Sequence, residues 1–146
     1  MTERRPMFQK ILVGYDGSEG ARQALLWGLS IAREFGSHVC AISVEGKLPR
    51  YAATLGEVEE VEQERHEYFD QIQNGAKRMA DEHGVSLGTI VAPGKPAETI
   101  VKYAEDGGYD VIVLGHKGHS RLHEYLVGAT TDRVAHLAHC SVLIVR

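Results

Sequence analysis

Val111-Ile112-Val113-Leu114-Gly115-His116-Lys117-Gly118 decides the fold of this chain. Its first four residues are all apolar, so a strand built from them has no polar face to turn to water. That is the condition of a parallel strand covered on both sides by helices. Working upstream, Pro93-Gly94-Lys95-Pro96 reads as a turn, Pro96 suits the first position of a short helix through Glu105, and Gly107-Gly108 ends it. Downstream, Gly128 opens a helix that ends near His139, and Ser141-Val142-Leu143-Ile144-Val145 is a final strand.

The rest of the chain repeats the alternation. Lys10-Ile11-Leu12-Val13-Gly14-Tyr15 is a buried strand stopped by Asp16-Gly17-Ser18. A helix follows from Glu19 to Phe35, with Ala21, Ala24, Leu25, Gly28, Ile31, Ala32 and Phe35 at helical spacing, Ser18 or Asp16 as its cap and Gly36 as its stop. His38 to Val44 is a second strand, and Glu45 to Gly56 a long loop. Glu57 to His83 is an amphipathic helix whose apolar face is Val58, Val61, Phe69, Ile72, Ala76 and Met79. Its early glutamates sit where the helix dipole favours negative charge and read as a solvated face. Val85 to Val91 is a third strand. Strands joined by helical crossovers predict an α/β domain: a single open five-stranded parallel sheet with helices on both faces. Ligands of such sheets lie at the carboxyl ends of the strands, beside the point where strand order reverses.

The 146 residues suit one domain, expected at 9–146 behind a short flexible lead at 1–8. Apolar residues make up 43% and charged ones 25%, an ordinary balance for a soluble globular protein. A net charge of -4 gives no footprint for nucleic acid, and no apolar run is long enough to span a membrane. The polar start lacks a signal peptide's apolar stretch, so the expected location is cytoplasmic. Cys40 and Cys140 are expected as buried free thiols, with a disulfide the lesser reading.

The segment from Gly115 to Thr131 carries the chemistry. Gly115 and Gly118 let backbone N–H groups approach an anion where the strand turns. At the helix opened by Gly128, the N–H groups of Ala129, Thr130 and Thr131 have no intrahelical partners and face the positive end of the helix dipole. Thr130 and Thr131 add hydroxyls; Lys117 and Arg121 add positive charge. The bland alternative, glycines serving only as turns, explains the basic residues and threonines less well. The loop is neither the dinucleotide fingerprint, since Gly14 to Gly20 lacks the G-x-G-x-x-G spacing, nor a Walker loop.

Gly115, Gly118 and Gly128 fit the pattern G-x-x-G, nine residues, then G, and here the sequence resembles the universal stress proteins of the ATP-binding branch. Three more stretches are similar to that family: Lys10 to Ser18, Gly94-Lys95-Pro96-Ala97-Glu98-Thr99-Ile100, and the ending Cys140 to Arg146. The resemblance implies a Rossmann-like sheet of order 3-2-1-4-5, related to the adenine nucleotide alpha hydrolases. It further implies a nucleotide, ATP first with ADP or AMP as alternatives, with or without Mg2+. By that resemblance Asp16 contacts the ribose hydroxyls, a role its chemistry fits and that helix capping does not exclude. Val44 offers backbone N–H and C=O to the adenine edge, Gly14 lines the base pocket and Gly115 the ribose. Gly118, His119, Ser120 and Arg121, with Ala129, Thr130 and Thr131, hold the phosphates, and His116 and Lys117 belong to the same loop. Ala129 departs from the family's Ser or Thr, removing one phosphate-directed hydroxyl.

Eight histidines invite a metal site, and His119 with His123 and His136 with His139 have spacings that can share a helix face, but zinc wants three or four ligands, and Cys140 beside His139 is not a known ligand pattern. No metal site is expected. His116 and His119 are better explained as phosphate-loop residues. The leading function is a nucleotide-binding sensor or regulator of stress response. A slow ATPase ranks below it, because Asp16 and Glu124 are the only nearby acids and neither has a catalytic spacing. A dimeric adaptor without nucleotide is the third reading. An apolar final strand at a sheet edge and the resemblance both point to a homodimer through Ser141 to Val145; the downstream protein partner is unknown.

Overall fold

The computed structural model describes residues 7–46, 55–116 and 127–146. The elements are β1 (Lys10–Gly14), α1 (Glu19–Phe35), β2 (His38–Glu45), α2 (Leu55–Glu82), β3 (Leu87–Pro93), α3 (Pro96–Asp106), β4 (Val111–Gly115), α4 (Ala129–Leu137) and β5 (Ser141–Val145). They form one five-stranded sheet in the order β3-β2-β1-β4-β5, every pairing parallel. The expected strand order and the α/β class are therefore the observed ones.

Strand alternation splits the core into two layers. Ile11, Val13, Val39, Ala41, Val111, Val113 and Val145 pack with Ala24, Leu25 and Leu29 of α1 and Ala76, Met79 and Ala80 of α2. Leu12, Cys40, Ile42, Ile112 and Leu114 pack with Ala97, Ile100 and Ala104 of α3 and Val134 of α4. Helices thus cover both faces, which is why β1 and β4 are apolar at every position between their ends.

Local signals set most boundaries. Ser18 is the N-cap of α1, its hydroxyl accepting from Ala21 N–H at 3.2 Å. Gly36, at φ 67°, ends that helix in the left-handed region that glycine tolerates. Leu29 rather than Phe35 completes the buried face of α1; Phe35 is 55% exposed, and its ring meets that of Phe8 edge-on at 5.3 Å. On α2, Ala76, Met79 and Ala80 are buried, whereas Val58, Val61, Phe69 and Ile72 are only half-buried. The third strand starts at Leu87, not Val85, because Val85 N–H still donates to Ala80 O at 3.0 Å and finishes the end of α2. It also runs on to Pro93, paired in register with Glu45, so the turn before α3 is narrower than expected. Proline is tolerated there because β3 is an edge strand. The fourth helix stops at Leu137, where Ala138 turns extended. Much of the expected loop from Glu45 to Gly56 lies outside the described residues.

Cys40 and Cys140 are free thiols, Cys40 buried and Cys140 half-buried. They belong to β2 and to the residue before β5, with β1 and β4 between. At about 4.8 Å per strand spacing they are roughly 14 Å apart, beyond disulfide reach. No helix among the described residues is long and apolar enough to cross a membrane.

Candidate functional site

The chain lays down β1, β2 and β3 in one direction across the sheet, then returns to place β4 on the other side of β1. The reversal falls between β1 and β4, and a cavity of about 240 Å³ opens at their carboxyl ends. Its wall comprises Gly14 at the end of β1, Tyr15, Asp16 and Ser18 after it, Ala21 of α1, Ile42 and Val44 of β2, Pro96 and Ile100 of α3, Leu114 and Gly115 of β4, and Gly128 to Thr131 at the start of α4. The volume is just under the range usual for small-ligand clefts, about 300–1,000 Å³.

Of the residues singled out from sequence, Gly14, Asp16, Val44, Gly115, Gly128, Ala129, Thr130 and Thr131 line this one cavity. His116 does not. Its backbone donates to Val145 O at 2.7 Å and accepts from Gly128 N–H at 2.8 Å, so it clamps the end of β4 between β5 and α4. Lys117, Gly118, His119, Ser120 and Arg121 lie outside the described residues. Tyr15, Ser18, Ala21, Ile42, Pro96, Ile100 and Leu114 were not singled out, because their place in the wall depends on where the strands stop. Tyr15 is recoverable as the residue at the end of the first apolar run; Pro96 and Ile100 already stood in the Gly94 to Ile100 stretch that resembles the family.

The cavity is divided in character. Ile42, Val44, Ile100 and Leu114 give it an apolar part, while the amino ends of α1, α3 and α4 open into it. Three positive dipole ends on one space favour an anion there. Two broader depressions, about 620 and 600 Å³, lie at the opposite end of the sheet. The first is bounded by the carboxyl ends of α3 and α4, which disfavour an anion.

Side-chain chemistry sharpens the roles. One Asp16 oxygen, Oδ1, accepts from Ser18 N–H at 2.9 Å and from the Ser18 hydroxyl, which fixes the carboxylate at the cavity wall. Both capping candidates are thus used, Ser18 on the helix and Asp16 on Ser18. Thr131 is buried, and its hydroxyl donates to Gly115 O at 2.8 Å. That proton ties α4 to β4; of the two threonine hydroxyls expected to face phosphate, only that of Thr130 is on an exposed residue. Gly128 supplies no side-chain cap, and the first helical bond of α4 is Asp132 N–H to Gly128 O at 2.9 Å, so the amides of residues 129–131 precede it. Gly115 is fixed by packing: a Cβ there would sit 2.5 Å from the carbonyl carbon and oxygen of Gly20.

Around the cavity, Arg133 of α4 pairs with Glu98 of α3, and that hydrogen bond holds the Glu98 carboxyl below its ordinary range. Burial pushes the Tyr15 phenol up, against a smaller opposing pull from Arg22. Among the described residues no three His, Cys, Asp or Glu side chains gather in a metal-holding group. His136 faces Asp132 at 3.8 Å and His139 faces Glu105 at 3.9 Å, two separate pairs.

The universal stress protein family model matches residues 7–146. Universal stress protein MJ0531 of Methanocaldococcus jannaschii is 34% identical over 141 residues, covering 96% of this chain and 83% of its own. Universal stress protein UspA from Lactobacillus plantarum superposes with a TM-score of 0.84 at 25% identity, covering 95% of this chain and 98% of that one. The same fold, at lower identity, occurs in a universal stress protein in complex with cAMP (TM-score 0.73, 22% identity, 94% and 97% covered). It occurs again in one from Arabidopsis thaliana with AMP bound (TM-score 0.70, 17% identity, 94% and 90% covered). With a family model spanning nearly all of its length and a relative above 30% identity, this chain belongs to the universal stress protein family.

Proposed function

We propose that the cavity between β1 and β4 holds an adenine nucleotide, ATP first with ADP and AMP as alternatives, and that the protein acts as a nucleotide-responsive regulator of stress response. The observation that carries this reading is the division of the cavity: an apolar part suited to a base, and three helix amino ends suited to phosphate. In it Val44 meets the adenine edge, Gly14 the base, Asp16 and Gly115 the ribose, and the amides of Ala129, Thr130 and Thr131 the phosphates. Gly118 to Arg121 complete the phosphate contacts from the stretch outside the described residues. Adenine nucleotides in two proteins of the same fold support the choice of base. Asp16 is the one carboxylate among the described wall residues. It and the phosphates would hold a Mg2+, which would neutralise phosphate charge.

Hydrolysis is slow or absent in this reading, because the described wall offers no second acid to orient water. The protein works as a homodimer joined through β5, at the sheet edge, and acts in the cytoplasm on a protein partner. The test is mass spectrometry of small molecules released on denaturing the purified protein, followed by equilibrium dialysis with ATP, ADP and AMP. Saturable uptake of an adenine nucleotide is the expected result. Absence of uptake at millimolar nucleotide would sink this reading in favour of an adaptor that works without one.

A further inference from the structure

Ser43 is a polar residue in an otherwise apolar stretch of β2 and is only 2% exposed. A buried hydroxyl needs a partner, and this one donates to the carbonyl of Tyr15 at 2.6 Å. The position of that bond in the ladder gives it meaning. Tyr15 N–H donates to Ile42 O at 2.8 Å. In a parallel pair the next rung would run from Val44 N–H to Tyr15 O and would register Tyr15 with Ser43. The register stops one pair short, at Gly14 with Ile42. Ser43 donates to the acceptor that Val44 would use, and among the described residues no bond from Val44 N–H to Tyr15 O is made. Alternation turns the amide groups of Ile42 and Val44 toward β1, whereas Glu45 serves β3, its carbonyl accepting from Gly94 N–H at 3.0 Å. Val44 therefore faces the gap that β1 leaves as it turns away, and it lines the cavity.

We propose that Ser43 is a positioning residue that ends the β1–β2 ladder one rung early, so that the Val44 N–H stays in the cavity as the donor that reads the ligand's base. The ligand half of this inference rests on the adenine-nucleotide reading above. Adenine offers a bare ring nitrogen, N1, as an acceptor. Hypoxanthine carries a proton at that atom and cannot accept there. The Val44 donor thus makes the site prefer the first base to the second. Without the Ser43 hydroxyl, the Tyr15 carbonyl is left needing a donor, and the one in register is Val44 N–H. The rung closes and the reading group is lost.

Two measurements on wild type, Ser43→Ala and Ser43→Thr test this. The first uses protein without nucleotide: NMR hydrogen exchange at the Val44 amide. Exchange should be fast in wild type and Ser43→Thr, and about tenfold or more slower in Ser43→Ala. The second compares the Kd values of AMP and inosine monophosphate. Wild type should favour AMP by about tenfold, and Ser43→Ala should lose that preference through weaker AMP binding, with inosine monophosphate nearly unchanged. A Val44 amide already protected in wild type, or unmoved by Ser43→Ala, overturns the proposal. So does an equal loss of both nucleotides, which is the mark of general loosening. If wild type binds neither nucleotide, the nucleotide reading fails, and the exchange rates still decide whether Ser43 shortens the ladder.

Discussion

A methyl group at position 115 has nowhere to go, because the atoms it would meet are the main chain of Gly20. Gly115→Ala should cost about 1–3 kcal/mol, the usual range for overpacking, and calorimetry should read it as a lowered Tm. At Gly14 the same change meets Leu114 Cδ2, a side-chain tip that can swing aside, so its cost should be smaller. Tyr109 offers a test in pH. Burial, with lesser help from Cys40, pushes its phenol up to about 12 from 10.0. The fold therefore prefers the neutral ring. The stability tied to it is complete below about pH 10 and is lost as pH rises toward 12. Urea unfolding across that window should show a steeper decline for wild type than for Tyr109→Phe; parallel curves would refute the assignment. Neither physical reason is legible in sequence. Gly115 reads as a phosphate-loop glycine, but the packing that demands it is a contact with a helix start far back in the chain. Ser43 is invisible for the same reason, since its partner is non-local.

The fourth helix shows what one element can and cannot disclose. Its start was legible from Gly128 and the threonines after it, and the cavity does reach those residues. The use of Thr131 was not, because a hydroxyl's partner depends on where β4 ends, and here it is Gly115 O. Ala129 is the exposed first residue of α4. Ala129→Ser should restore a hydroxyl toward phosphate and tighten nucleotide binding by about 1.5–3 kcal/mol, roughly ten- to hundred-fold, with little change in Tm. Dialysis with ATP measures it, and an unchanged Kd would mean the lost hydroxyl is already compensated. The caps at Ser18, Gly36 and Gly128 were read correctly, and among the strands the reading depended on how apolar each run is. An all-apolar run such as Val111 to Leu114 admits one environment, whereas the start of β3 hung on Val85 bonding backward to Ala80.

For the whole molecule the sequence disclosed the layer pattern, since apolar strands alternating with amphipathic helices have few ways to bury both. It could not reveal that three helix amino ends meet in one space, which follows only once the strand order is built. The same order leaves β5 at an edge with Ile144 37% exposed. Sedimentation at micromolar concentration should give a dimer, and Ile144→Lys should give a monomer of similar stability. A wild-type monomer would refute the interface. The central place of β1 also has a consequence in time. The start of β1 bonds to Asp110, one hundred residues later. At a synthesis rate of about 5–20 residues per second, the side of β1 that will meet β4 waits roughly 5–20 s for its neighbour. A nascent chain therefore carries an open, apolar sheet edge throughout the making of the hundred residues between β1 and β4, and the cleft beside it cannot exist before β4 arrives.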